Sequence, residues 1–243
     1  QDYLQSFGYS SGHHNDGDGD ANAEDALTSA IKLVFRKFQD FAGLEQTGLL
    51  DEITRLKMAS PRCGLPDVEF ITDEGGSQKW SKTELTYSID NWYSSMTRDD
   101  IRDVIVDAFG IWSEMTPLTF KEVGIGQGDI RIRFGSRSHG DPWPFDGNGG
   151  VLAHATFPEN GQLHFDSDEH WVRVVTTEDV RNSHTDMLAV AIHEIGHALG
   201  LDHSHDDNSI MAPFYKKTVD GQCEMPHLNS RDRDDIQAIY GRG

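Results

Sequence analysis

The chain has 243 residues, 36 % hydrophobic and 26 % charged, with 41 Asp plus Glu against 21 Lys plus Arg and a net charge of −20. That length is enough for a proper core in one or two domains. No apolar run approaches the roughly 20 residues of a bilayer span, and the shortage of Lys and Arg argues against nucleic acid as a partner. Excess acid beside 12 histidines points to divalent cations, and two cysteines are too few for a disulfide-stapled mini-fold. No charged-then-apolar secretion signal stands at Gln1, which leaves a cytosolic chain or one whose leader has been removed.

The first 60 residues read as helical. Leu27, Ile31, Val34 and Phe38 recur at i, i+4, i+7 and i+11, which predicts a helix over 24–39 with one apolar stripe. The segment before it, SSGHHNDGDGDANA, has almost nothing to bury and is expected to be a mobile, solvated linker. Its Asp16, Asp18 and Asp20 imitate the start of a calcium hand loop, but Ala21 stands where that loop requires glycine and Leu27 where it requires a bidentate Glu. Asp51 can cap a short helix carrying Ile53, Leu56 and Met58. A boundary is expected over 61–82, where PRCGLPD gives way to glycines without periodicity.

Beyond it the pattern becomes mixed α and β. Strands are expected at 85–89 and 118–123, and a third where Ile130, Ile132 and Phe134 alternate with Arg131 and Arg133. Ile101, Val104, Ile105, Ala108, Phe109 and Trp112 trace a helix over 99–115. A second long helix, 187–199, is nearly all apolar apart from His193, Glu194 and His197, and a last one over 230–240 uses Ile236, Ile239 and Tyr240.

The strongest chemical signal is HEIGHALGLDH, residues 193–203. Four residues apart on a helix, His193 and His197 point the same way and can chelate one ion. Gly200 can end the helix in a left-handed conformation and return His203 as third ligand. Three histidines leave the fourth zinc position open for water, the requirement of a catalytic site, and Glu194 is expected to face that water.

HExxHxxGxxH followed by a methionine turn, here Ser209-Ile210-Met211-Ala212-Pro213, is the metzincin pattern. PRCGLPD at 61–67 resembles the cysteine switch of the matrix metalloproteinases, or matrixins, and HGDPWPFDGNGGVLAHA and HFDSDEHW resemble that family's metal-binding stretches. The similarity runs from about Tyr3 to Gly241. It implies an α+β chain: a helical propeptide, a three-helix bundle, over 1–69 and a catalytic domain over 70–243. That domain would have a twisted mixed five-stranded sheet and three helices. Cys63 would then act as inhibitory ligand, because a thiolate can occupy the zinc position that the water needs. Arg62 and Asp67 would pair to hold the loop across the cleft. The competing reading of Cys63, a disulfide to Cys223, leaves PRCGLPD unexplained. With Cys63 on zinc, Cys223 would be a free, accessible thiol in a polar loop.

His139, Asp141, His154 and His164 match a closed shell of three imidazoles and a carboxylate, hence a structural zinc. Asp146, Asp166 and Glu169 supply carboxylates, and the turn at Gly147, Gly149 and Val151 supplies carbonyls, an oxygen set suited to calcium. Asp129 resembles a ligand of a second matrixin calcium, with Gly161 as carbonyl partner, although Gln162 stands where a carboxylate is often found. Ala189, one turn before His193, either lines a selectivity pocket walled by Pro213-Phe214-Tyr215 or packs in the core.

The reading is a secreted, extracellular zinc endopeptidase zymogen that acts on extended polypeptides of the extracellular matrix and cell surroundings. Two zinc ions and at least one calcium are expected, with tissue-inhibitor-type proteins as implied partners. No haemopexin-like or fibronectin-type segment occurs in this stretch, so cleavage of triple-helical collagen is not inferred. A non-catalytic module that kept the metal cage is disfavoured by the presence of Glu194.

Overall fold

The computed structural model describes residues 2–9, 21–68, 78–173, 179, 184–216 and 226–243. Residues 10–20 of the linker expected at 10–23, and Cys223, lie outside them, while the linker's last residues, 21–23, open the first long helix. The chain divides into two compact units, one of 1–60 and 65–75, the other of 61–64 and 76–243. Pro61–Gly64 group with the second unit, because their backbone hydrogen bonds run to Gly150, Ala153, Pro213 and Tyr215 of that unit.

The first unit contains α1 (Asp2–Ser6), α2 (Ala21–Phe41) and α3 (Glu52–Met58). Its apolar packing converges on Phe38, which is fully buried, with Tyr3 edge-on at 5.8 Å and Tyr9 at 5.5 Å between ring centroids. The stripe expected along α2 is corrected by this arrangement. Leu27 is 62 % exposed and Ile31 47 %, because the aromatic side chains of Tyr3, Phe7 and Tyr9 cover only the last turns of the helix. α2 also starts three residues earlier than expected, at Ala21.

Asp51 caps α3 as expected, accepting the Thr54 N–H at 2.9 Å. The face that α3 buries, however, is polar. Ile53 and Leu56 are exposed, while Thr54 is buried and accepts from the Gln39 amide at 2.9 Å. Gln39 also accepts the Gly48 N–H and donates to the Leu49 carbonyl, so one buried amide holds the loop between α2 and α3.

In the second unit the sheet has the order β1-β5-β6-β4-β2-β3. Its strands are β1 (Arg62–Cys63), β2 (Glu84–Ile89), β3 (Thr119–Glu122), β4 (Ile130–Gly135), β5 (Val151–Ala155) and β6 (Gln162–Asp166). All neighbours are parallel except β5 with β6. Among the described residues the sheet therefore has six strands where five were expected, because Arg62–Cys63 adds to the free edge of β5. A small pair, β7 (Trp171–Val172) and β8 (Thr185–Asp186), lies beyond β6 in sequence.

Three helices accompany the sheet among the described residues: α4 (Arg98–Ser113), α5 (Met187–Ala198) and α6 (Ser230–Tyr240). α5 packs between α4 and strand β5 and is buried on every side, which explains its almost unbroken apolar sequence. The Trp112 indole N–H donates to the Ile192 carbonyl at 3.0 Å and fixes the α4–α5 contact.

Candidate active site

α5 starts at Asp186, whose carboxylate accepts the N–H groups of Leu188 at 2.9 Å and Ala189 at 3.5 Å. His193 and His197 project from one face with their Nε2 atoms 3.0 Å apart. Each Nδ1 donates to a carbonyl, His193 to Ile210 at 2.7 Å and His197 to Leu201 at 2.6 Å. Those bonds put the proton on Nδ1 and leave two Nε2 lone pairs facing one another, an arrangement that a shared cation satisfies. Burial holds both rings neutral, with His193 taken down to about 3 and His197 well below the usual imidazole range.

Gly200 ends the helix at φ 104°, where a Cβ would collide with the Gln78 carbonyl, so only glycine fits the turn that returns His203. Cys63 completes the group. The ligand atoms of Cys63, His193, His197 and His203 all lie within 4.8 Å of one another. Two neutral imidazoles, a third histidine and a soft thiol form a donor set suited to zinc.

Glu194 is fully buried, and neither carboxylate oxygen has a partner of ordinary hydrogen-bond geometry. Desolvation pushes it up to about 8, with the Cys63 thiol pulling the other way. Below the histidines runs the methionine turn. A Cβ on Gly196 would strike the Met211 sulfur, which explains glycine at the third position after His193. The turn is fastened by Asp232 of α6, a buried carboxylate that accepts from the Ser209 hydroxyl and from the Ile210 N–H at 3.1 Å. Sequence reasoning missed Asp232. Its signal was the box Asn229-Ser-Arg-Asp232, in which Asn229 and Asp232 cap each other's backbone at 2.9 Å.

Residues 61–64 run through the cleft between two walls. Arg62 N–H donates to Gly150 O at 2.8 Å and Gly64 N–H to Ala153 O at 2.8 Å on the β5 side. On the other side Cys63 N–H donates to Pro213 O at 2.9 Å, and Pro61 O accepts from Tyr215 N–H at 2.8 Å. Arg62 is buried, with its guanidinium 4.8 Å from the centre of the Phe214 ring and its Nε donating to Cys63 O. In the first unit, Asp67 accepts the Tyr9 hydroxyl at 2.7 Å.

Beside the histidines lies a cavity of about 120 Å³, lined by Leu152, Ala189, Val190, Phe214, Tyr215 and Lys216 among others. Ala189 thus faces the cavity. The Tyr215 hydroxyl accepts the Asp186 N–H at 2.9 Å and ties the cavity wall to the start of α5.

A second cluster gathers His139, Asp141, His154 and His164. His154 and His164 are cross-strand partners on β5 and β6, which places them on one face. Asp141 Oδ2 receives His139 Nε2 at 2.9 Å, His154 Nε2 at 2.9 Å and His164 Nδ1 at 2.7 Å. Burial would raise Asp141, but the surrounding histidines and the Trp143 N–H outweigh it and hold the carboxyl at about 2. Burial takes His154 down to about 4. An ionised Asp141 beside neutral His154 and His164 is in the form that binds a metal.

Asp146, Asp166 and Glu169 each accept a backbone N–H. Val151 N–H reaches Asp146 at 2.9 Å, Gly147 N–H reaches Asp166 at 3.3 Å, and Gly149 N–H reaches Glu169. Burial, then the charges of Asp166 and Asp146, push Glu169 up to about 7. Asp129 is engaged elsewhere, pairing with Lys82 at 2.7 Å and accepting from the Thr86 N–H and hydroxyl at 2.8 Å. The Gly161 carbonyl takes the Arg131 N–H at 2.7 Å.

A buried helix carrying two histidines and a carboxylate, a glycine turn to a third histidine and a methionine turn beneath them define the catalytic unit of a metallopeptidase. Residues 79–241 match the model of the matrixin peptidases. The chain is 53 % identical over 251 positions to Matrix metalloproteinase-C of Caenorhabditis elegans, covering 99 % of this chain and 43 % of that protein. It is 44 % identical to Stromelysin-1 of Mus musculus (88 % of this chain, 44 % of that protein) and 42 % to Macrophage metalloelastase of Oryctolagus cuniculus (87 % and 44 %). The chain belongs to the matrixin family of zinc-dependent metalloendopeptidases, and it spans less than half the length of these relatives.

Proposed function

We propose that this chain is the latent form of a secreted zinc endopeptidase, with a propeptide over 1–69, a catalytic domain over 70–243, and substrates among extracellular-matrix and pericellular proteins. The observation that carries the reading is the position of Cys63, which shares one ligand set with His193, His197 and His203 while its strand lies hydrogen-bonded along both walls of the cleft. His193, His197 and His203 would hold the catalytic ion, with Cys63 as the fourth, removable donor. His139, Asp141, His154 and His164 would hold a structural zinc. Asp146, Asp166 and Glu169, with carbonyls of Gly147, Gly149 and Val151, would hold a calcium.

When bound, zinc supplies a Lewis acid that polarises a peptide carbonyl and acidifies a water. The protein's own work is positional and protonic. β5, vacated by residues 61–64, offers its edge to the main chain of an extended substrate. The cavity beside Ala189 receives an apolar side chain. Glu194, buried beside the Cys63 thiol, takes the proton of the attacking water once that thiol has left and returns it to the leaving amine. Ile210 and Leu201 carbonyls keep His193 and His197 in the ligating tautomer throughout.

The test is mass spectrometry of peptides released from an extracellular-matrix protein mixture after thiol-directed organomercurial treatment of the full chain. The expected result is endoproteolytic cleavage that requires the treatment and is abolished by a zinc chelator. Cleavage products indistinguishable from an untreated control would refute the reading.

A further inference from the structure

The last turn of a helix leaves carbonyls without intrahelical partners. At the end of α5 two of these are taken by aromatic donors from distant parts of the second unit. The Trp80 indole N–H donates to Ala198 O at 2.8 Å, and the Tyr240 hydroxyl donates to Leu199 O at 2.7 Å. The same hydroxyl accepts the Trp80 backbone N–H at 3.1 Å, so the two anchors form one network joining α6, the segment before β2 and the end of α5.

The residues just after Leu199 give this network its significance. Gly200 turns against the Gln78 carbonyl, two residues before Trp80, with no room for a Cβ. Leu201 then sends its N–H back to Gly196 O at 3.0 Å and presents its carbonyl to His197 Nδ1 at 2.6 Å. His203 lies two residues further on. The path from the Tyr240 hydroxyl to the carbonyl that orients a ligand histidine is therefore two residues long and passes through a turn fixed on both sides.

We propose that Tyr240, acting with Trp80, is a positioning residue for the catalytic metal: by holding the Leu199 carbonyl it sets the Gly200 turn, and through that turn the orientation of His197 and the return of His203. A phenylalanine would fill the same volume but leave the Leu199 carbonyl and the Trp80 N–H without their partner. The proposal rests on the reading of these histidines as zinc ligands.

The experiment uses the full chain loaded with cobalt(II). Of the two donor sets among the described residues, only the one containing Cys63 has a thiolate, so that set gives a thiolate-to-cobalt charge-transfer band, while the His139/Asp141/His154/His164 set contributes ligand-field absorption alone. Loss of each signal is then monitored after adding a chelator. Partners of metal ligands typically matter about 10- to 100-fold in metal affinity. Tyr240→Phe, one step removed, is expected to speed loss of the charge-transfer band about tenfold and leave the other signal at the wild-type rate. Trp80→Phe, which keeps an aromatic ring and removes the indole donor, should shift the same band in the same direction and serves if Tyr240→Phe does not fold. Equal acceleration at both sites, or none, would reduce Tyr240 to a packing contact and overturn the proposal. A wild-type chain with no charge-transfer band would instead remove the ligand assignment on which the inference stands.

Discussion

His193, His197 and His203 come from one helix and the turn after it, within eleven residues of sequence, whereas His139, Asp141, His154 and His164 come from a loop and two antiparallel strands. The second set is closed among itself, each histidine reaching the same Asp141 oxygen. The first set takes its fourth donor from β1, a two-residue strand that the sheet does not need for its own continuity. Each cluster sets three imidazoles around one acidic donor, a thiol in the first and a carboxylate in the second. On the proposed reading, what would separate a permanent site from a switchable one is whether every donor belongs to the framework.

The sharpest way to break that comparison is Glu194→Ala, which leaves both donor sets intact. Turnover of the activated chain should fall by about 10²–10⁴-fold, as expected for loss of a general base, with zinc content unchanged by elemental analysis. Retained activity within tenfold, about 1.4 kcal/mol of barrier, would assign the proton to another group.

Cys63→Ser tests the removable donor directly. A hydroxyl is a far weaker zinc ligand than a thiolate, so the intact chain should hydrolyse a peptide substrate without treatment, by more than about tenfold over the parent. Full latency in the variant would place the block elsewhere than on Cys63.

Asp141→Ala tests the closed set. Zinc should fall by one ion per chain and stability by about 3 kcal/mol, a Tm decrease of about 6–12 °C for a unit of this size. An unchanged melting curve at full zinc loss would show that this cage does not contribute to folding.

The smallest effect is expected at Asp186, the cap of the helix that carries His193 and His197. Burial, opposed by the Leu188 and Ala189 N–H groups, pushes its carboxyl up to about 6 from 3.8. Between those two pH values the native chain keeps a proton that the unfolded chain has lost. The group's contribution to stability is therefore full below about 4 and declines as pH rises through about 6. Asp186→Asn keeps an acceptor for the helix and should flatten that slope by about 1–2 kcal/mol in unfolding experiments across the window. A slope that survives the substitution would belong to another group.

Much of the second unit could be read in advance because its signals are local. α5 is announced by an apolar run with three polar residues in helical register, and β4 by strict alternation of Ile130, Ile132 and Phe134 with arginines. The positions of His154 and His164 on paired strands come from similar short-range patterning. What could not be read was long-range. Periodicity says that α2 has an apolar side, but not that only its Phe38 end would be covered. It also could not reveal that Thr54 rather than Ile53 would face inward, since a buried amide at Gln39 selected the polar side of α3. Asp232 and the hydroxyl of Tyr240 act on turns more than 20 and 40 residues away, and nothing in their own neighbourhoods marks those targets.

Residues 61–64 hold the cleft through main-chain groups on both flanks, with few side chains beyond Cys63 and Arg62 taking part. Such a strand gains most of its occupancy from being tethered. Joined to the domain it would block in the proposed latent form, it would compete at an effective concentration in the millimolar range, which free substrates rarely match. Severing the chain downstream of Gly64 would turn that neighbour into a separate solute, diluted by orders of magnitude, with its backbone bonds now contested by any extended peptide. On the proposed reading, inhibition would be a property of chain connectivity more than of affinity, and one peptide-bond scission would be enough to convert the first into the second.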